Sequence, residues 1–151
     1  AALLVLGEGP ERSALEAQIQ ALGLEGTVHL LGAVARTELP DYLNGSDLFV
    51  AASDRTNAAN PTFEAMLCGL PVVLLDTGRT SDTVTNGVNG YLVDSEHPAR
   101  LGQAIVDVLI DDRRAQEVGA RARQWALANL QTIEARQEME ARLIEKAVHG
   151  K

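Results

Sequence analysis

The chain has 151 residues, with 13 basic against 21 acidic side chains and a net charge of −8. That balance argues against nucleic acid or an anionic membrane as the main partner, because both are bound through basic faces. Five aromatic residues are too few for single-strand stacking platforms, and a lone cysteine excludes an internal disulfide. No run reaches the roughly 18 apolar residues of a membrane span and no leader-like segment is visible, so the expected setting is cytoplasmic.

Leu3-Leu4-Val5-Leu6 opens the chain as a strand. Gly7-Glu8-Gly9-Pro10 turns it into a helix with Leu15, Ile19 and Leu22 on one face and Gly23 as its stop. Val28-His29-Leu30-Leu31 reads as a second buried strand, ending at Gly32. Thr37 caps a short helix that turns Leu39, Tyr42 and Leu43 inward and stops at Gly45. Residues 47–52 form a third strand, which empties into the polar loop 53–59.

The chemistry concentrates in the next stretch, Asn60-Pro61-Thr62-Phe63-Glu64-Ala65-Met66-Leu67-Cys68-Gly69-Leu70-Pro71. Asn60 suits an N-cap, and Pro61 suits the first helical position, where a missing N–H costs nothing. Gly69 and Pro71 end the helix. Phe63, Met66, Leu67 and Leu70 have the spacing of a face laid on a sheet. Glu64 lies off that face, and its carboxylate leans toward the helix mouth, where orphan amides and a partial positive charge attract anions. Cys68 is read as a small apolar packing residue of this helix.

Val72-Val73-Leu74-Leu75-Asp76 is an unbroken apolar strand of the kind covered on both faces. Residues 80–86 read as one or two helical turns, and Asn89-Gly90 turns into a last strand, Tyr91-Leu92-Val93. A helix over 99–110 buries Leu101, Ile105, Val108 and Leu109, and Asp112 caps another that carries Val118, Ala122 and Trp125. Thr132 starts a final helix with a stripe of Ala135, Met139, Leu143 and Ala147. His29, His97 and His149 have no partner at triad or metal spacing, so no catalytic or metal-ligating residue is assigned. Strands alternating with helices specify an α/β fold with a doubly wound parallel sheet. Such sheets bind ligands beyond the carboxyl ends of their strands. The loops at that edge are 7–10, 32–37, 53–61 and 76–82.

These segments, in this order and with these gaps, resemble the donor-binding C-terminal domain of retaining glycosyltransferases of the two-Rossmann-domain type, glycosyltransferase family four among them. The resemblance is carried by Gly7-Glu8-Gly9-Pro10, by 28–32 and 47–53, by Glu64 to Val73 and by Asn86 to Val93. It implies a Rossmann-like domain over 1–130 and a C-terminal helix over 131–151. The parent strand order, with its central strand removed, becomes a five-stranded sheet of order 2-1-3-4-5, with the strands at 3–6 and 48–52 as neighbours. It also implies a UDP- or GDP-linked sugar as donor, no cofactor and no essential metal. Glu64 then accepts from the ribose hydroxyls, the Asn60-Pro61-Thr62 backbone faces the diphosphate and sugar, and the loop carrying Gly32 and Val34 reads the base beside Leu39.

Two departures stand out. Eight residues before Glu64 the family usually has a second glutamate, touching the transferred sugar; here Thr56 stands there, and the adjacent Asn57 offers only a hydrogen bond. The family's Arg and Lys that grip the diphosphate belong to a strand–helix unit with no counterpart in these residues, as is true of the acceptor domain. Arg36, Arg55 and Arg79 are the cations near the expected edge, and Asp82 replaces a more usual glutamate. The expected partners are therefore a nucleotide sugar and an N-terminal acceptor-binding domain or subunit, with any peripheral membrane contact made through that domain. Two classes of function fit: a donor-binding half of a glycosyltransferase, inactive alone, or a non-catalytic nucleotide-binding or interaction module that keeps the fold.

Overall fold

The computed structural model describes residues 1–53, 60–97 and 99–130, so Thr56, Asn57 and the expected helix over 131–151 lie outside the described residues. In chain order the elements are β1 (Leu3–Leu6), α1 (Arg12–Ala21), β2 (Val28–Gly32), α2 (Leu39–Asn44), β3 (Phe49–Ala51), α3 (Asn60–Leu67), β4 (Val72–Asp76), a 3-10 turn (Thr80–Asp82), β5 (Tyr91–Asp94), α4 (Arg100–Leu109) and α5 (Asp112–Asn129). Every strand pair is parallel. The fold is α/β, as the alternating pattern requires. Residues 1–42 and 43–151 form two compact units.

In the first unit β1 pairs with β2, Leu3 opposite Val28 and Val5 opposite Leu30, with a register shift that sets Leu6 opposite Gly32. Arg12 ties α1 to this ladder: its Nη2 donates to the Leu30 carbonyl at 3.1 Å, while Nε donates to Glu16 at 2.9 Å. The expected burial here is overturned. Leu15 and Leu22 of the α1 face are exposed, only Ile19 is half-buried, and Leu3, Leu4, His29 and Leu31 of the strands are exposed as well. Periodicity identifies which residues share a face, but a single helix over two strands lacks the surface to cover them.

The second unit carries the core. β4 lies between β3 and β5, with Phe49 opposite Val72 and Val73 opposite Tyr91. Val72, Val73, Leu74 and Leu75 are all buried, so the unbroken apolar run marks a strand covered on both faces. Val73, Leu75, Val93 and Val108 form one cluster, against which Leu101 and Ala104 of α4 pack. Asn89 is buried and pins the connection into β5: its Oδ1 accepts from the Thr85 amide at 2.7 Å and its Nδ2 donates to the Thr83 carbonyl at 3.0 Å. That side chain takes over the backbone groups that a longer helix over 80–86 would have satisfied, and only the 3-10 turn forms. Asp111, not Asp112, caps α5, its Oδ1 accepting from the Arg114 amide at 3.1 Å.

Within the units the strand orders are β1-β2 and β3-β4-β5, the two parts 2-1 and 3-4-5 of the expected order. Apolar runs determine which segments become strands. Which edge meets which neighbour depends on tertiary partners that a run of Leu and Val does not encode.

α5 packs on the end of α3 through Gly119, Ala122 and Ala126, all buried. A Cβ on Gly119 would overlap the Gly69 carbonyl oxygen, whereas one on Gly102 of α4 would meet open space. Gly119→Ala should therefore lower stability by about 1–3 kcal/mol through overpacking. Gly102→Ala should raise it by about 0.5–1 kcal/mol through backbone entropy alone. Urea unfolding of the two variants checks this, and equal effects of one sign would contradict the packing described.

Candidate functional site

α3 springs from the carboxyl edge of the β3-β4-β5 sheet. Asn60 is already helical rather than a cap, and Pro61 falls in the first turn, where its lack of an N–H leaves no bond unmade. Gly69 adopts φ +80°, its amide donates to the Met66 carbonyl and the Leu70 amide to the Ala65 carbonyl, the paired bonds of a Schellman stop. The buried face is Thr62, Ala65, Met66 and Leu70, with Phe63 half-buried and Leu67 exposed. This differs from the expected face of Phe63, Met66, Leu67 and Leu70. The small residues of α5 admit Ala65 and the Gly69 turn at close range, which rolls α3 toward its small side and turns Leu67 outward.

The rotation matters for the candidate ligands. Thr62 is 3% exposed, so its side chain is part of the core and only its backbone can serve a ligand. Asn60 and Pro61 are exposed at the helix start, and Glu64 is half-buried one turn on. Its negative charge is felt four residues later: burial pushes the Cys68 thiol pKa up, Arg123 opposes this, and Glu64 adds to the rise.

The loop after β4 is tied to the same edge. Thr77 Oγ1 donates to the Ser53 carbonyl at the end of β3 at 3.1 Å, and Thr80 Oγ1 donates to the Thr77 carbonyl at 2.6 Å. Both threonines are buried. Sequence reading missed this pair; the signal is two hydroxyls three apart flanking Gly78, whose φ is +57°. Arg79 and Asp82 form an ion pair across the 3-10 turn. Asp76 and Asp94 face each other in register at the strand ends. His97, with Nδ1 2.8 Å from Asp94 Oδ2, and the Glu96 amide hold the Asp94 carboxyl below the usual carboxylate range. Among the described residues no group of three or more His, Cys, Asp or Glu side chains is placed to hold a metal ion, and no helix is long and apolar enough to cross a membrane.

Gly32 and Val34 lie in the first unit. Gly32 ends β2 at φ +75°, its carbonyl accepts from the Gly7 amide at 2.7 Å, and a Cβ there would overlap the Glu8 carboxylate. Val34 is half-buried in the loop that follows. Glu38 shapes that loop by accepting from the Ala35 amide at 3.1 Å.

The comparisons with known proteins agree with one another. A GDP-mannose-dependent alpha-(1-6)-phosphatidylinositol monomannoside mannosyltransferase of Mycolicibacterium smegmatis is 33% identical over 86% of this chain and 36% of its own. A 2-deoxystreptamine N-acetyl-D-glucosaminyltransferase of Niallia circulans is 26% identical over 80% of this chain and 31% of its own. The chain thus spans about a third of the length of these relatives. Among solved structures, the Anabaena protein Alr3699/HepE in complex with UDP-glucose matches with a TM-score of 0.84 at 27% identity, over 95% of this chain and 41% of that one. Sucrose-phosphate synthase from Thermosynechococcus elongatus matches with a TM-score of 0.87 at 26% identity, over 99% and 39%. These neighbours make the parallel strands and flanking helices a Rossmann-like arrangement. With residues 1–125 matching its family model, the chain belongs to the glycosyl transferases group 1 family.

Proposed function

We propose that this chain is the donor-binding half of a retaining glycosyltransferase, taking a UDP- or GDP-linked sugar at the mouth of α3. The observation that carries this reading is Glu64, half-buried on a helix that rises from the carboxyl edge of a parallel sheet. In that place its carboxylate accepts from the two ribose hydroxyls, and the first-turn backbone faces the diphosphate. The family resemblance assigns base reading to the backbone of the loop that carries Gly32 and Val34. It assigns Thr56 and Asn57 to the transferred sugar. The UDP-glucose held by the Anabaena neighbour and the GDP-mannose named for the mycobacterial relative support a nucleotide sugar as ligand.

In transfer, the bond between the anomeric carbon and the diphosphate breaks as a bond to the acceptor oxygen forms on the same face, negative charge grows on the leaving diphosphate, and the acceptor hydroxyl proton passes to a phosphate oxygen of that leaving group. Donors aimed at that charge supply the electrostatic part of catalysis. The acceptor is held by an N-terminal domain or subunit, which also excludes water and fixes the attack geometry. No cofactor or metal enters this scheme, and any membrane contact is made through that partner. A cytoplasmic setting is part of the reading.

Glu64→Gln keeps the shape of the helix and removes the charge. Losing charge-assisted bonds worth roughly 1.5–3 kcal/mol predicts a drop in UDP or GDP affinity of about tenfold or more. The melting temperature should stay nearly constant. A 2′,3′-dideoxy nucleotide should bind the wild type weakly and lose little more in the variant, because both changes delete one contact. Calorimetric titration checks this, and equal binding of both ligands by both proteins would remove Glu64 from the site.

The 151-residue chain alone should show no acceptor-dependent sugar transfer, only slow donor hydrolysis. Turnover that depends on added acceptor, measured with the purified chain, would overturn the requirement for a partner domain.

A further inference from the structure

A diphosphate brought to the edge of the β3-β4-β5 sheet enters an acidic field. Glu64 stands on α3, Asp76 and Asp94 at the strand ends and Asp82 in the 3-10 turn, and the chain carries a net charge of −8. Among the described residues of the loops that leave β3, β4 and β5, Arg79 is the only arginine or lysine. β4 is the middle strand, so its loop lies at the centre of that edge.

The loop is anchored where it needs to be. Thr77 is bonded to Ser53 at the end of β3, Thr80 is bonded back to Thr77, and both side chains are buried. Gly78, at φ +57°, reverses the chain between them and presents the next residue outward. Arg79 is accordingly 79% exposed at the tip of a fixed turn, and its partner Asp82 is 52% exposed. The pair is made through the guanidinium Nε, while the fork that matches a phosphate is formed by five N–H groups in one plane. An ion pair this open to water is a weak competitor for such a fork.

Resting on the nucleotide-sugar reading above, we propose that Arg79 is a diphosphate-binding cation of this chain. Asp82 acts as its internal competitor: it holds the guanidinium when the site is empty and gives it up to a phosphate oxygen when ligand arrives. The class of ligand is a nucleoside diphosphate, and the same contact serves the free diphosphate product after transfer.

The test titrates UDP, GDP and the matching nucleosides into the wild-type 151-residue chain and three variants. Arg79→Gln should weaken the bound diphosphate by about tenfold and leave the nucleoside unchanged, because only the phosphate loses a charged partner. Asp82→Asn should tighten the diphosphate a few-fold, by about 2–5 times, by releasing the guanidinium. Arg100→Gln, an exposed cation at the start of α4, should change nothing. Binding of UDP or GDP by the wild type and by Arg79→Gln alike would overturn the assignment while leaving the nucleotide site standing. An equal loss in Arg100→Gln would also overturn it, showing that the ligand feels only the overall field. No binding of either diphosphate by the wild type would overturn both readings together.

Discussion

The burial of β4 is the constraint on which the larger unit depends. Four consecutive apolar residues, Val72 to Leu75, are removed from water, and each needs cover on its own face of the sheet. α3 and α4 both lie against this strand. Asp76, the first residue of β4 that meets water, marks where the sheet ends. The carboxyl edge is thus fixed by a change of residue type, and the loops that carry the proposed site begin there. Neither α3 nor the Thr77–Thr80 turn has a core of its own; both are positioned by a strand that cannot move without exposing its side chains.

Much of this was legible in the residues. The run of 72–75, the Gly69 stop, the Asn89-Gly90 turn and the α4 stripe each state a local preference that the tertiary structure then uses. Element type survives because hydrophobic period and punctuation are local properties. The failures are of a different kind. The roll of α3, which exposes Leu67 and buries Thr62, is set by small residues about fifty positions further on, in α5. Which strands pair is likewise a question of neighbours, and a strand's own sequence carries no address.

The candidate site divides in the same way. The helix that carries Glu64 was legible because Pro61 in its first turn and the Gly69 stop are short-range signals. The buried threonines were not, since Thr77 and Thr80 gain their meaning only when the end of β3 lies beside them. Gly32 was legible as a turn, but the Glu8 carboxylate that crowds it comes from the other end of a crossover.

The contact between Gly119 and the Gly69 turn also bears on the order in which the protein takes shape. The two glycines are separated in the chain by β4, β5, α4 and the start of α5, so the contact is long-range. During synthesis the residues of α3 leave the ribosome well before those of α5, and at a translation rate of about 5–20 residues per second that interval lasts seconds. Through it the short helix that carries Glu64 has its amino-acid pattern but not its brace, and eight residues are far too few to hold a helix alone. Assembly of α3 is thereby deferred until the C-terminal half has emerged, so the nascent chain carries the residues of the proposed site for seconds before the helix that holds Glu64 is braced.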